Sequence, residues 1–221
     1  MKKTIGVLLM GILAAAMIYC SKAEKREEPK QEPLPPPTVT KAEPGPFGIT
    51  RHLWDSTATP QDRIEVALAV KDEDIELQGN EKATIETNKG TIVVKLYSKD
   101  APKTVRNFIR LAESGFYDGL IWHRYEPGFV IQGGDPLGSG SGNAGYNIDF
   151  EPNPKKHVTG AMAMARGPAK NSASCQFYIC LADKPHLDGN YVVFAKTVEG
   201  MDVVKQLRAN DTIVKITISR D

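Results

Sequence analysis

Residues Trp122 to Asp135 read WHRYEPGFVIQGGD and place an arginine, a phenylalanine and a glutamine at positions 124, 129 and 132. Phe129 and Ile131 alternate as on a strand, where side chains i, i+2 and i+4 share a face. A bend at Pro127-Gly128 lets Arg124 and Gln132 converge. Gly133-Gly134 then ends the strand and permits close backbone approach. A planar cationic fork beside an aromatic ring and an amide can bind a carbonyl and enclose a small apolar ring. With no nucleophile in the stretch, it suits little else. A second stretch, GAMAMARGPAKNSASCQFYICLADKPHLDG from Gly160 to Gly189, adds apolar wall residues and a second strand, Gln176 to Leu181.

Other patterns carry less chemistry. Gly140, Gly142 and Gly145 spell G-x-G-x-x-G, whose mechanism needs a helix N-terminus directly after the glycines. YNIDFE follows instead, so the glycines read as a loop at the rim of the site. His52, His123, His157 and His186 are scattered without metal-ligand spacing, and neither metal nor other cofactor is expected. His123 reads as a structural hydrogen-bonder. Cys175 and Cys180 would face opposite sides of an extended strand about 16 Å apart, beyond the roughly 7 Å limit for a bridge. With 28 Lys+Arg against 27 Asp+Glu, the chain has no electrostatic footprint for nucleic acid.

Periodicity places the elements that must hold these residues. Ile85 and Thr87, a turn at Asn88-Lys89-Gly90, then Ile92, Val94 and Leu96 read as a hairpin with one buried face. Asp100 is placed to cap a helix with Pro102 in its first turn. Val105, Phe108, Ile109 and Ala112 form its apolar stripe, and Gly115 stops it. A second short helix carries Met201, Val204 and Leu207, and Val214, Ile216 and Ile218 alternate in a closing strand. Many antiparallel strands with two helices indicate a mostly β fold built as a closed barrel. The domain, residues 80–221, is long enough for a single core.

Upstream, Met1-Lys2-Lys3 is a positive head, followed by the apolar run Ile5 to Tyr19 and then Cys20. The run is shorter than the roughly 20 residues that span a bilayer and is laid out as an export signal over residues 1–19. Two processing sites compete. Cleavage at Ala14-Ala15-Ala16 would release a soluble protein; lipidation of Cys20 would anchor the chain to the membrane, although Ile18-Tyr19 stand where small residues usually precede such a cysteine. A Pro- and charge-rich tether over residues 20–46 favours the anchor. From Ser21 to Pro46 it holds seven prolines and five residues of each charge sign, so it is expected not to fold. Residues 47–79 form an extension with a short helix. Thr59-Pro60 starts that helix, Ile64, Ala67 and Leu68 lie at helical spacing, and Trp54 is a candidate anchor.

The two site stretches, with GFYDG (Gly115 to Gly119) and VVFAKTVEGMDVV (Val192 to Val204), resemble the cyclophilin family of peptidyl-prolyl cis-trans isomerases from about Glu81 to Asp221. The resemblance implies a closed eight-stranded antiparallel β-barrel with a helix capping each end, and a monomer acting on proline-containing polypeptides. It implies Arg124 and Gln132 as catalytic residues, with Phe129, Val130, Tyr178 and Leu187 around the proline. Ala165 and Arg166 would present backbone groups, Gln176 would line the same groove, and Phe177, His186 and Tyr191 complete the substrate-binding set. Val130 stands where many members carry methionine, Tyr178 where many carry phenylalanine, His186 where many carry tryptophan and Tyr191 where many carry histidine. The 165–176 segment is one residue longer than in those members. These departures bear on peptide preference and imply reduced affinity for cyclosporin. Joined to the export signal, the resemblance implies a folding helper for exported or envelope proteins. A non-catalytic module that holds proline-containing segments is the alternative.

Overall fold

The computed structural model describes residues 40–220. The expected export signal over residues 1–19, the expected lipid acceptor Cys20 and the expected tether up to residue 39 lie outside the described residues. The remainder of the expected tether is not free chain. Strand β1 (Thr40–Pro44) pairs antiparallel with β2 (Thr50–Leu53), so order begins before residue 47. The partner strand supplies the hydrogen bonds that the proline-rich composition lacks by itself.

Helix α1 (Pro60–Val70) starts where the sequence places it. The Thr59 hydroxyl accepts the Asp62 N–H at 3.3 Å, and the Asp62 carboxylate accepts the Thr59 N–H at 2.7 Å, a reciprocal capping box. Its buried face, however, is Arg63, Val66, Ala67 and Val70, while Leu68 is 40% exposed. The expected stripe of Ile64, Ala67 and Leu68 is therefore rotated, because Arg63 is drawn inward. Its guanidinium lies 4.6 Å over the Trp54 ring and donates to the Phe116 carbonyl at 2.8 Å. Trp54 Nε1 donates to the Gly115 carbonyl at 2.6 Å, and Arg51 pairs with Asp118 and donates to the Ile216 carbonyl. These three side chains fasten the extension to the GFYDG turn. Ile64 and Leu68 instead approach Gly145.

The main sheet contains β3 (Glu81–Thr87), β4 (Gly90–Leu96), β5 (Arg124–Glu126), β6 (Val130–Gly133), β7 (Ala161–Met164), β8 (Phe177–Cys180), β9 (Val193–Glu199) and β10 (Ile213–Arg220). Its strands run in the order β10-β3-β4-β9-β7-β8-β6-β5, every neighbouring pair antiparallel. The sheet curls into an open half-barrel rather than the closed barrel expected from the sequence. Among the described residues β5 and β10 do not pair with each other. Residues 119–122 meet residues 210–213 instead, through an isolated bridge of Ile121 with Thr212 and flanking bonds from the Gly119 N–H to the Ile213 carbonyl and from the Asn210 N–H to the Trp122 carbonyl, both at 2.8 Å. In β10 the expected alternation also fails at Val214, which is 49% exposed while Ile213 is buried. A register shift between Ile213 and Lys215 inserts one residue and reverses the parity.

Helix α2 (Pro102–Glu113) and helix α3 (Met201–Gln206) accompany the sheet. Asp100 does not cap α2. The carboxylate of Glu151 does so from a distant loop, accepting the Lys103 and Thr104 N–H groups at 3.0 Å each and the Thr104 hydroxyl at 2.9 Å. The Phe108 ring on α2 packs on Tyr117, Phe177 and Phe194 at centroid distances of 5.5, 5.7 and 5.2 Å, and Trp122 meets Phe177 edge-on at 5.6 Å. This is the main core. A smaller cluster of Val130, Ala161, Ala163, Tyr178, Cys180 and Val193 lies on the other face of the sheet, with Phe129, Leu187 and Tyr191 against it. The expected site residues Phe129, Val130, Tyr178, Leu187 and Tyr191 gather on that second face.

Candidate active site

Strand register explains how separated residues meet. In the β5–β6 hairpin Arg124 lies directly opposite Gln132, Gln132 opposite Tyr178 on β8, and Tyr178 opposite Ala163 on β7. Residues facing each other across a ladder project from the same side, so one row crosses four strands. The turn at Pro127-Gly128 closes the hairpin, with the Phe129 N–H donating to the Glu126 carbonyl at 3.0 Å. Gly134 (φ +82) ends β6, and a Cβ there would lie 2.7 Å from the Cys175 carbonyl oxygen. That is the close approach the sequence anticipates.

Arg124 is held on two sides. Its Nε and Nη2 donate to one oxygen of Glu126 at 3.0 and 2.5 Å, and its Nη1 donates to Gln132 Oε1 at 3.0 Å. The guanidinium carbon sits 5.8 Å from the Phe129 ring centre. The chain of donors continues from Gln132 Nε2 to Gln176 Oε1 at 2.9 Å, then from Gln176 Nε2 to the Gly140 and Gly142 carbonyls at 3.0 and 2.8 Å. A carboxylate two residues from Arg124 on the same strand shares its face. That spacing marks Glu126 in the sequence as a partner for Arg124.

Beside the guanidinium is a cavity of about 280 Å³ lined by Arg124, Phe129, Val130, Gln132, Ala165, Arg166, Tyr178, Leu187 and Tyr191. It falls at the lower edge of the roughly 300–1,000 Å³ typical of sites for larger ligands, so it suits a small ring. His186 stands at its rim, stacked on Phe129 at 6.0 Å, and the Lys184 ammonium is 5.5 Å from the same ring. The Arg166 side chain is pinned by the Asn190, Gly167 and Pro168 carbonyls and lies 4.9 Å over Tyr191. The Ala165 N–H is given to the Gln176 carbonyl at 2.9 Å, so its carbonyl is the main-chain group of Ala165 left to face a peptide.

Phe177 is not in the site. Side chains alternate along β8, so Tyr178 faces the cavity while Phe177 is fully buried among Trp122, Tyr117 and Phe108. His123 makes no ring hydrogen bond of good geometry among the described residues; its polar neighbour is the Gln176 side chain, and burial holds its imidazole below the ordinary histidine pKa. Two residues to which the sequence pattern gives no role in the site lie behind the cavity wall. His157 Nε2 is 3.0 Å from the Tyr178 hydroxyl, and His157 Nδ1 is 2.9 Å from Asp188. The only hint of them in the sequence is the tyrosine itself, whose hydroxyl needs a partner once buried.

A second cavity, about 370 Å³, adjoins the first through the shared Gln132, Ala165 and Arg166, and it is this second cavity that Gln176 lines. The glycine loop forms its other side. The buried Asp135 carboxylate shapes that loop by accepting the Leu137, Ser139 and Gly140 N–H groups. No helix follows the glycines, so the geometry that would hold a pyrophosphate is missing. Cys175 and Cys180 are both free and belong to the two opposite clusters. Burial pushes each thiol up to about 12, which keeps them protonated and poor as nucleophiles. The site offers donors, an apolar enclosure and no covalent chemistry.

The family model described as "Cyclophilin type peptidyl-prolyl cis-trans isomerase/CLD" matches residues 82–220. A peptidyl-prolyl cis-trans isomerase of Synechococcus elongatus is 44% identical over 142 residues, covering 63% of this chain and 97% of the relative. One from Helicobacter pylori is 44% identical over 148 residues, covering 65% of this chain and 90% of the relative. The crystal structure of a Cryptosporidium parvum cyclophilin type peptidyl-prolyl cis-trans isomerase superposes with a TM-score of 0.60 at 31% identity, covering 64% of this chain and 98% of that one.

Proposed function

The chain belongs to the cyclophilin-type peptidyl-prolyl cis-trans isomerases, and from that premise we propose that Arg124 catalyses X-Pro isomerisation in polypeptides exported to the cell envelope. One observation carries the assignment to these residues: a guanidinium braced by Glu126 and Gln132 at the mouth of a ring-sized apolar cavity.

A peptide bond resists rotation by about 18–20 kcal/mol because nitrogen shares its lone pair with the carbonyl. Around X-Pro bonds the isomers differ little in energy yet exchange slowly, so catalysis requires only that the twisted state be bound better than either planar one. In that state the prolyl nitrogen is pyramidal and can accept a hydrogen bond. A guanidinium has five N–H donors. The three contacts to Glu126 and Gln132 fix its plane, and the remaining donors are free for the nitrogen and the adjoining carbonyl. Phe129, Val130, Tyr178 and Leu187 enclose the ring. Gln132 orients the substrate, and Gln176 with the main chain of Ala165 and Arg166 keeps the peptide extended. His186 and Tyr191 at the rim adjust affinity, cyclosporin included, which binds less tightly than to members with tryptophan at position 186. The protein works as a monomer and assists folding.

Two-dimensional exchange NMR on one Xaa-Pro peptide with the full chain measures binding and exchange in a single sample. Accelerated exchange is expected; specific binding without acceleration leaves only a holding module. The envelope part of the proposal is supported by the charged head, the apolar run to Tyr19, Cys20 and the proline-rich segment after it. Intact-mass analysis of membrane-extracted protein should give a chain starting at Cys20 with added acyl mass. A soluble product starting at Met17 removes the anchor and keeps the export.

A further inference from the structure

The residue of β8 that faces the ring cavity is a tyrosine, yet its hydroxyl lies behind the wall rather than in the cavity. The His157 ring that meets it is fully buried, stacked on Tyr178 at 6.1 Å and edge-on to Tyr191 at 6.4 Å. One Asp188 oxygen takes both the His157 ring nitrogen Nδ1 and the His157 backbone N–H at 2.9 Å, while the Lys156 ammonium is 3.3 Å from the other oxygen. The His157 carbonyl in turn accepts the Lys184 N–H at 2.7 Å. Burial holds the imidazole below its ordinary pKa despite the Asp188 bond, so the ring is neutral at neutral pH. Hydrogen bonds from the His157 backbone and ring draw Asp188 down to about 2. An ionised carboxylate only accepts, so Nδ1 carries the proton, Nε2 is an acceptor and Tyr178 donates to it.

We propose that His157, oriented by Asp188, is a positioning residue of the proline pocket: it takes the Tyr178 O–H out of the cavity, so that a substrate ring meets only the aromatic face, and it joins the Tyr178 wall to the Leu187 wall. The second half follows from Asp188 being the residue after Leu187, so its carboxylate fixes that wall to the same imidazole. The inference rests on the cavity being the proline site.

Without His157 the phenol must turn to water inside the cavity, and a docking ring expels that water. The loss falls on bound substrate and transition state alike, so it raises KM and leaves kcat nearly unchanged. A residue needed only for folding behaves otherwise: its loss shrinks the active fraction, lowering apparent kcat with KM unchanged.

Steady-state turnover of one Xaa-Pro peptide by the full chain separates the two. His157→Leu should raise KM about fivefold or more, the effect of stranding one buried donor, with kcat changed far less. Adding Tyr178→Phe to it removes the stranded hydroxyl and should return KM to within about twofold of wild type, a non-additive cycle. His157→Gln, whose amide can accept from Tyr178 and donate to Asp188, should hold KM near the wild-type value. An unchanged KM in His157→Leu, or a double variant no better than the single, overturns the proposal. Should His157→Leu not fold, the imidazole ¹⁵N spectrum of the wild type decides alone. The Nδ1–H tautomer supports the proposal and the Nε2–H tautomer overturns it. Failure of the isomerase reading looks different, because the wild type itself would show no turnover before any variant is compared.

Discussion

Replacing Arg124 by alanine removes the one group assigned to the prolyl nitrogen, and the structure bounds the side effects. The Arg124 and Glu126 side chains are 44% and 48% exposed, so their ion pair contributes about 0–1 kcal/mol to the fold. Gln132 keeps its bond to Gln176 at 2.9 Å, and Val130 and Tyr178 stay buried without help from the guanidinium. Stability should therefore barely move. The lost donor is a charge-assisted hydrogen bond, typically about 1.5–3 kcal/mol, which corresponds to roughly 10- to 150-fold in kcat. Peptide affinity should fall much less, since the apolar walls remain. One complication is Glu126, whose carboxylate would then stand unpaired beside the substrate carbonyl. The double variant Arg124→Ala/Glu126→Gln isolates that repulsion: any activity it recovers over Arg124→Ala belongs to the carboxylate, and the remainder to the missing donor. Arg124→Lys should rescue poorly, because one ammonium cannot hold Glu126 and Gln132 while also reaching substrate. Exchange NMR at saturating peptide gives kcat directly. A rate for Arg124→Ala within about threefold of wild type, under 1 kcal/mol, would falsify the assignment of the donor.

Other perturbations test the frame around the site. Glu151→Ala removes the remote cap of α2 and should lower unfolding stability by about 1 kcal/mol with kcat/KM unchanged; an unmoved urea midpoint rejects the cap. Stability should fall on acidification in two windows, because both His157 and Asp188 have folded values below their ordinary ones. The unfolded histidine binds protons more readily, so loss begins as pH drops below about 6.5. The contribution of Asp188, full above 3.8, disappears as pH falls toward about 2. A denaturation midpoint that climbs between about pH 7 and pH 5 contradicts the buried neutral imidazole. His186→Trp offers cyclosporin a broader apolar face with one N–H donor and should tighten inhibition while altering peptide turnover little. Equal inhibition of both proteins would place the sensitivity in the 165–176 segment.

The meeting of Arg124 and Gln132 is legible in the sequence because period-two register and a tight turn at Pro127-Gly128 leave one way to fold the hairpin. The ring-sized enclosure follows from apolar residues at alternating positions. Phe177 shows where that kind of reading stops, since neighbours in one motif take opposite faces, and parity alone assigns it to the core. Features made by distant partners are hidden. Glu151 caps a helix at Lys103, 48 residues earlier in the chain, and Asp188 meets His157 across 31 residues. No local pattern joins them. The buried face of α1 is masked by Arg63, which reads as solvent-facing until Trp54 and the Phe116 carbonyl receive it. Whether the sheet closes depends on registry between its first and last strands, and the one-residue shift at Val214 leaves no mark in a hydrophobic pattern.

Gly145 adopts φ +82, and a Cβ there would lie 2.8 Å from Ile64 and 3.3 Å from Leu68 on α1. Loop and extension thus occupy the space each leaves to the other, and the same loop receives Gln176 at the Gly140 and Gly142 carbonyls. In evolutionary terms, positions 64, 68 and 145 are expected to change together. A larger residue at 64 or 68 closes the gap in which the glycine sits. A side chain at 145 has to push α1 away and still bear the left-handed backbone. A lineage that shed the extension would lift only the steric half of that constraint. Grafting residues 47–79 onto another domain of this family therefore has to bring its glycine along, or the helix will not seat.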